Sequence, residues 1–221
     1  MNNDNVNICP SVNISNVNVT NSCLSKNIIS NDEHKSILNT NNENNIGIKC
    51  LSTNTDSLNN KMELLENFVF KENIDVVALQ EIHNKNETQD IKDSKNFILP
   101  GYQTFQNNTG RGVCLFVKQN HYVEPIPEFE HLFSPSIFCR ISNPDGQHFV
   151  FGVIYRSPNC TTNETNDLNN QIKFVANKTL SSNEKLILVG DFNYKEIDWE
   201  NEICHTALSH QGEKHIAEKF F

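Results

Sequence analysis

The hydrophobic residues of this chain fall in short, separated runs that are typical of β-strands. Residues 186–189 are four consecutive branched apolar residues, which predict a strand buried on both faces, and Gly190 after them permits an abrupt turn. Residues 46–51 and 74–79 form two further strand patterns. Polar residues follow each of these three strands, so the chain places potential chemistry at the ends of strands.

Between the strands predicted at 46–51 and 74–79, apolar residues recur at helical spacing. The positions concerned are Leu58, Met62, Leu65 and Phe68. They predict a helix that packs one face on a sheet, with Asp56 or Ser57 as its amino-terminal cap. The order of these elements is therefore strand, helix, strand, which is the connection used between parallel strands.

From Gly101 onward the pattern changes to alternating strands separated by turns. Strands are predicted at 102–106, 113–118, 137–141 and 148–155, and a turn at the Pro125 and Pro127 pair. The clearest hairpin signal is the segment that begins at Asn143 and ends at Gly146. Residues 83–98 are polar and predict a loop, whereas helices are predicted at about 166–180 and about 212–221.

Two regions of different composition divide the chain. Residues 1–45 are dominated by asparagine, serine and isolated apolar residues, so we expect a disordered leader, with a short helix allowed around 32–38. Residues 46–221 show no internal repeat and no further break in composition. They predict a single mixed α/β domain with substantial antiparallel content.

Composition limits the cellular context and the partners. The formal net charge is −9, which gives no general affinity for polyanions. The seven cysteines are scattered and form no zinc motif, which predicts reduced thiols in an intracellular compartment and no disulfide-linked partner. The sequence also shows no signal peptide pattern and no apolar run long enough to span a bilayer, so we expect no membrane association.

Polar side chains follow four of the predicted strands or their adjoining turns, at Asn54, Glu81, Tyr155 and the Asp191/Asn193 pair. Each has an ordinary explanation alone, as a turn residue, a solvated strand end or a half-buried aromatic residue. Their shared position beyond the carboxyl ends of strands is where α/β proteins tend to place their sites.

Arginine is scarce in this chain, which makes its positions informative. Only Arg111, Arg140 and Arg156 occur among 18 basic residues. The guanidinium group can grip a phosphate through two donors at once. Because Arg111 and Arg156 lie within or beside the polar segments, we consider both as candidate phosphate-binding residues. Either could equally be a solvated surface side chain. His83 follows Glu81 closely, but we expect it to be exposed at the start of the loop and give it no role.

Five short motifs occur in the order and approximate spacing of one superfamily. They are Asn54-Thr-Asp-Ser-Leu-Asn-Asn-Lys, Leu79-Gln-Glu, Gly110-Arg-Gly-Val, Tyr155-Arg-Ser-Pro and Gly190-Asp-Phe-Asn-Tyr. In this set the chain resembles the endonuclease/exonuclease/phosphatase superfamily. The details Ser-Leu-x-Asn-Lys and Asn-Tyr-x-x-Ile-Asp-Trp are similar to the apurinic-type endonuclease domain of non-LTR retrotransposons.

The resemblance implies a four-layer sandwich of two packed, mixed or antiparallel β-sheets flanked by helices. It also implies hydrolysis of a DNA phosphodiester that depends on Mg²⁺, or on Mn²⁺ in its place, and a nuclear location. Matched to the motifs, Glu81 and Asn54 would hold the metal ion. Asp191 would activate the attacking water, while Asn193 and Tyr155 would contact the phosphate.

The sequence departs from the superfamily pattern at its carboxyl end. It contains no Ser-Asp-His, the segment in which Asp and His act as a pair, and it ends at Phe221. We therefore expect an incomplete domain that lacks the carboxyl-terminal strands. Two alternatives to an active nuclease stay open: a catalytically inactive fragment, and a phosphatase of the same superfamily that acts on small phosphoesters.

Overall fold

The structure, a computed structural model, describes residues 11–14, 17–20, 48–144, 146–194, 197–198 and 203–204. The strands of this part are β1 (Ser11–Ile14), β2 (Val17–Thr20), β3 (Cys50–Asn54), β4 (Val76–Gln80), β5 (Tyr102–Asn107), β6 (Val113–Lys118), β7 (Tyr122–Pro125), β8 (Ser136–Ser142), β9 (His148–Tyr155), β10 (Lys185–Asp191), β11 (Ile197–Asp198) and β12 (Ile203–Cys204). The α-helices are α1 (Met62–Glu72), α2 (Gln89–Asp93) and α3 (Thr162–Ser181), and a single 3₁₀ turn spans Pro127–Phe129.

The first of two four-stranded sheets has the order β3-β4-β6-β5. β3 and β4 are parallel and joined through α1, as the strand, helix, strand pattern predicts, and β6 and β5 add antiparallel pairs. Because β3 and β4 run in the same direction, Asn54 pairs in register with Gln80 at their carboxyl ends. The residues that follow these two strands therefore leave the sheet side by side.

The second sheet has the order β10-β9-β8-β7. β10 and β9 are parallel and joined through α3, and they place Asp191 in register with Tyr155. β8 and β7 complete the sheet with antiparallel pairs. The carboxyl ends of β9 and β10 thus lie together, as those of β3 and β4 do in the first sheet.

The two sheets pack face to face over a shared apolar core. Val76, Leu115, Val117, Phe151 and Val153 are fully buried members of this layer. A second cluster joins α3 to the outer face of the β10 sheet, and a third joins α1 to the outer face of the β3 sheet. Helix, sheet, sheet and helix form four layers, which confirms the predicted sandwich of two mixed sheets flanked by helices.

Local predictions differ from the structure at several positions. α1 begins at Met62 with Lys61 as its cap residue, so the expectation of a cap at Asp56 or Ser57 is wrong. Asp56 and Ser57 have φ angles of 41° and 78°, which belong to a tight turn before the helix. The turn predicted at the proline pair is partly strand, because β7 runs up to Pro125 at a sheet edge, where proline is tolerated.

Helices also differ in extent from the sequence pattern. The loop predicted at 83–98 contains the short helix α2. α3 begins at Thr162, earlier than predicted, because Thr161 and Glu164 form a reciprocal capping box. Among the described residues, none of the helices has the length and apolarity that a bilayer span requires.

The amino-terminal tract contributes one small element that the sequence pattern did not predict, the antiparallel pair of β1 and β2. The helices predicted around 32–38 and 212–221 lie outside the described residues. The division of the chain at residue 45 stays a prediction.

Candidate active site

The carboxyl ends of β3 and β10 meet where the two sheets come together. Asn54, the last residue of β3, donates a hydrogen bond from Nδ2 to Oδ2 of Asp191, the last residue of β10, at 3.0 Å. The loops after β3 and β4 continue side by side, since the amide of Ser57 donates to the carbonyl of Glu81 at 2.8 Å. Asn54, Glu81 and Asp191, which the sequence placed on separate strands, thus belong to one cluster.

Glu81 is held by groups from both sheets. It follows β4 with a φ angle of 54°, a left-handed conformation that directs the chain out of the strand. Its carboxylate lies beside the side chain of Tyr155, at the end of β9, and is paired with the guanidinium of Arg111. Burial and the negative charge of Glu81 raise the pKa of Tyr155, so its hydroxyl stays protonated as a donor.

Asp191 lies in an environment that disfavours its charged form. Burial raises the pKa of Asp191 above its usual range, and the negative charge of Glu81 adds to this effect. Hydrogen bonds from Asn54 and from the backbone amide of Asn193, the latter 3.3 Å from Oδ1, act in the opposite direction. A carboxylate with a raised pKa accepts a proton more readily, which suits a general base.

Asn193 and Arg156 hold the turn after β10. Asn193 has a φ angle of 49°, and its Nδ2 donates to the carbonyl of Arg156 at 2.7 Å. The guanidinium of Arg156 donates to the carbonyls of Phe192 and Asn193 at 3.3 and 3.0 Å. It also contacts Oγ1 of Thr165 and lies 4.5 Å from the ring centre of Tyr194. These contacts position the turn, and a phosphate contact by Arg156 stays a prediction.

Arg111 lies between two carboxylates at the edge of the site. Besides Glu81, its guanidinium contacts Oδ1 of Asp56 at 2.7 Å and the carbonyl of His83 at 3.2 Å. Gly112 makes this turn possible, because a Cβ atom there would lie 2.8 Å from side-chain atoms of both His83 and Ile82. The candidate phosphate-binding residue Arg111 and the candidate metal ligand Glu81 are therefore direct neighbours.

Two residues of the candidate site, Asp56 and Lys61, were given no functional role in the sequence analysis. The carboxylates of Asp56 and Glu81 both contact the guanidinium of Arg111. The hydrogen bond from Arg111 lowers the pKa of the Asp56 carboxyl group. The Nζ of Lys61 donates to the backbone carbonyls of Thr55 and Asp56 and so fixes the turn that follows Asn54. Both residues lie within the motif that begins at Asn54. Their position in that motif was the feature of the sequence that could have identified them.

His83 is buried, so the expectation of an exposed histidine is wrong. Its Nε2 lies 2.9 Å from Oδ1 of Asn108, and its Nδ1 lies 3.7 Å from a carboxylate oxygen of Glu87. Burial lowers the pKa of His83, although Asn108 and Glu87 oppose this effect. The residue packs beneath the turn that carries Arg111, since its carbonyl accepts from that guanidinium.

The donor atoms of the cluster are those a hard divalent cation prefers. Carboxylates of Glu81 and Asp56 and the amide oxygen of Asn54 are oxygen donors, and Mg²⁺ commonly takes one or two carboxylates while it keeps several waters. Within the part of the chain that is described, no group of three or more His, Cys, Asp or Glu side chains is arranged to hold a metal. Because the available donors of Glu81, Asp56 and Asn54 are all oxygen atoms, the residues present fit a hard divalent cation such as Mg²⁺ or Mn²⁺.

Comparison with known proteins agrees with this architecture. The sequence profile of the Endonuclease/Exonuclease/phosphatase family matches residues 38–211, so the chain belongs to that family. Among solved structures, it is similar to the endonuclease domain of TRAS1, a telomere-specific non-LTR retrotransposon. That match has 13% identity and a TM-score of 0.54, and it covers 78% of this chain and 69% of that domain.

A second similar structure is the catalytic domain of Xenopus laevis APE2. It is 18% identical with a TM-score of 0.50, and the match covers 77% of this chain and 67% of that one. At these identities the two structures show a shared fold. No curated protein matches the sequence.

Proposed function

We propose that this domain hydrolyses phosphodiester bonds of DNA in a reaction that requires Mg²⁺ or Mn²⁺. The observation that carries the proposal is the convergence of Asn54, Glu81, Tyr155 and Asp191 on one side of the sandwich, joined by the 3.0 Å contact between Asn54 and Asp191. The motif details and the fold shared with a retrotransposon endonuclease domain support a retrotransposon-derived DNA endonuclease as the particular activity.

The chain's own residues suit distinct tasks in such a reaction. Glu81 and Asn54 would hold the cation, and Asp56 contacts the same guanidinium as Glu81 does. When bound, the cation would supply positive charge that neutralises the phosphate. Asp191 accepts the proton of the attacking water, because its pKa is raised by burial and its carboxylate is oriented by Asn54.

Asn193 and Tyr155 provide donors for phosphate oxygens. The side-chain amide of Asn193 is held by the carbonyl of Arg156 and lies beside Asp191, so it is positioned next to the proposed base, where a phosphate oxygen would approach. The hydroxyl of Tyr155 lies against Glu81, beside the place where the scissile phosphate would approach the cation. Donors held in advance of reaction stabilise the charge that develops on the phosphate.

Relaxation of supercoiled plasmid tests this proposal. We expect wild-type protein to nick plasmid when Mg²⁺ or Mn²⁺ is added, and Glu81→Ala to lose that activity. A matched control is Glu124→Ala, which removes another paired glutamate far along the sheet, opposite Arg140, and should leave nicking unchanged. Equal nicking by wild-type protein and Glu81→Ala would refute the proposal.

Two alternatives give different results in the same experiments. A domain that binds DNA without cleaving it is favoured by the ion pair that already occupies the Glu81 carboxylate. It predicts retention of an oligonucleotide and no nicking with any metal. A phosphatase of this family predicts hydrolysis of p-nitrophenyl phosphate, a monoester, in preference to bis-p-nitrophenyl phosphate, a diester.

A further inference from the structure

Arg111 bridges two carboxylates of the candidate active site. Its guanidinium pairs with Glu81 on one side and with Asp56, at 2.7 Å, on the other. A divalent cation shared by these carboxylates would need the oxygens that the guanidinium now contacts. The guanidinium and the cation are both positively charged, so they repel each other when they approach the same carboxylate oxygens. The two therefore compete for these oxygens.

The position of Arg111 allows the guanidinium to leave the carboxylates without leaving the site. The side chain is 22% exposed, so water can solvate the charge as it moves. The turn that carries it is fixed by backbone contacts, since the amide of His83 donates to the carbonyl of Arg111 at 3.0 Å. The guanidinium would therefore remain within reach of an anion bound beside Glu81.

We propose that Arg111 is an internal counter-ion of Glu81 and Asp56 that a divalent cation must displace, and that the displaced guanidinium then contacts the substrate phosphate. This inference depends on the proposed function, because it requires a cation at Glu81. It adds a coupling that the proposed function does not contain. Cation binding frees the phosphate contact, and phosphate binding holds the guanidinium away from the carboxylates, so each ligand strengthens the other.

Titration with Mn²⁺, followed by the electron paramagnetic resonance signal of the free ion, tests the displacement. Arg111→Met removes the competing charge and keeps an apolar side chain of similar length. We expect it to bind Mn²⁺ about fivefold more tightly than wild-type protein does, the upper end of the range for loss of a partly exposed ion pair. Arg111→Lys keeps the charge but loses the fork that spans two carboxylates, so its affinity should lie between the two.

Arg140→Met is a matched control, because Arg140 also pairs with two glutamates, Glu124 and Glu184, on the other sheet. Its Mn²⁺ affinity should equal that of wild-type protein. Thermal unfolding of each variant shows whether the comparison is made between folded proteins. If Arg111→Met does not fold, the order of wild-type protein and Arg111→Lys still decides the question.

The coupling between cation binding and phosphate binding is tested by measuring DNA affinity with and without Mn²⁺. Mn²⁺ should increase the affinity of wild-type protein for a short DNA duplex more than it does for Arg111→Met, since only wild-type protein has a guanidinium to release. Equal Mn²⁺ affinities for wild-type protein, Arg111→Met and Arg111→Lys would overturn the displacement. If Glu81→Gln still abolished Mn²⁺ binding in that case, the metal site at Glu81 would be supported and only the displacement of Arg111 would be refuted. Unchanged binding by Glu81→Gln would overturn both.

Discussion

Asn54 and Asp191 lie 137 residues apart in the chain, and their side chains share a 3.0 Å hydrogen bond between the two sheets. Each ends a strand with a parallel neighbour, β3 beside β4 and β10 beside β9. Parallel strands deliver their carboxyl ends to the same edge of a sheet, and the packing of the two sheets brings both edges together. The contact therefore lies at the centre of the candidate site, and it partly offsets the rise that burial causes in the pKa of Asp191, the proposed base.

Asn54→Ala should move the acid limb of the pH profile to higher pH. The hydrogen bond from Asn54 lowers the pKa of Asp191, so its removal raises that pKa further and leaves less deprotonated base at a given acid pH. We expect kcat/KM to fall about 10- to 100-fold, as for loss of a hydrogen bond to a charged group. Nicking rates across a pH series measure both effects. Asn60→Ala, at an exposed position in the same segment, is the control, and an unshifted limb in Asn54→Ala would contradict the assignment of Asp191.

Arg156→Met should destabilise the fold by about 2 kcal/mol, because the guanidinium holds two carbonyls of the turn after β10 and the hydroxyl of Thr165. Urea unfolding measures this loss. Because these donors are engaged within the protein, the salt dependence of DNA binding should be the same in the variant. A salt slope reduced by about one would instead establish Arg156 as the phosphate contact that the sequence predicted.

Gly190→Ala should prevent stable folding. A Cβ atom at this position would lie 2.0 Å from the carbonyl oxygen of Ile154 on the neighbouring strand, and a backbone atom of a central strand cannot move aside. Gly101→Ala is the contrast, since a Cβ there meets no atom within 4 Å and only the φ angle of +79° opposes it. We expect Gly101→Ala to lower the free energy of unfolding by about 1 kcal/mol and to remain folded. Circular dichroism and urea unfolding distinguish the two, and a folded Gly190→Ala of normal stability would show that β9 and β10 are not this close.

His83 should make stability depend on pH below neutrality. Burial lowers the pKa of His83 from 6.5, so the unfolded chain binds a proton more readily than the folded one does. The free energy of unfolding should then fall as the pH decreases from 6.5 toward the folded-state pKa, and rise again on return to neutral pH. His83→Gln cannot titrate, so the difference in stability between wild-type protein and this variant should change with pH over that window. A difference that is constant with pH would contradict the burial of His83.

Much of the fold follows directly from patterns in the sequence. The strands at 113–118 and 148–155 were predicted with their observed bounds, because alternating apolar residues and glycine or asparagine turns mark both ends. The parallel pairs were implied by helices between apolar strands. β7 was missed because its Pro125 reads as a turn signal, and only its position at the sheet edge makes that proline compatible with a strand.

The sequence indicated part of the candidate site, and the functional roles of its residues stay predictions. Five candidate residues were proposed because each carries a polar group and lies at or just beyond the end of an apolar strand: Asn54, Glu81, Tyr155, Asp191 and Asn193. Contacts that depend on loop conformation could not be predicted from the sequence. The left-handed φ angles of Asp56 and Ser57 replace the expected helix cap with a turn, and only that turn brings Asp56 to Arg111. The burial of His83 likewise depends on packing between two loops that no local pattern encodes.

The location of a bound cation tests the central claim most directly. Crystals grown with Mn²⁺ would give an anomalous difference peak wherever the ion binds. We expect one peak within coordinating distance of the Glu81 carboxylate, with Asp191 nearby and Arg111 moved away from Glu81. A fully occupied Mn²⁺ site elsewhere, with Glu81 still paired to Arg111, would contradict it.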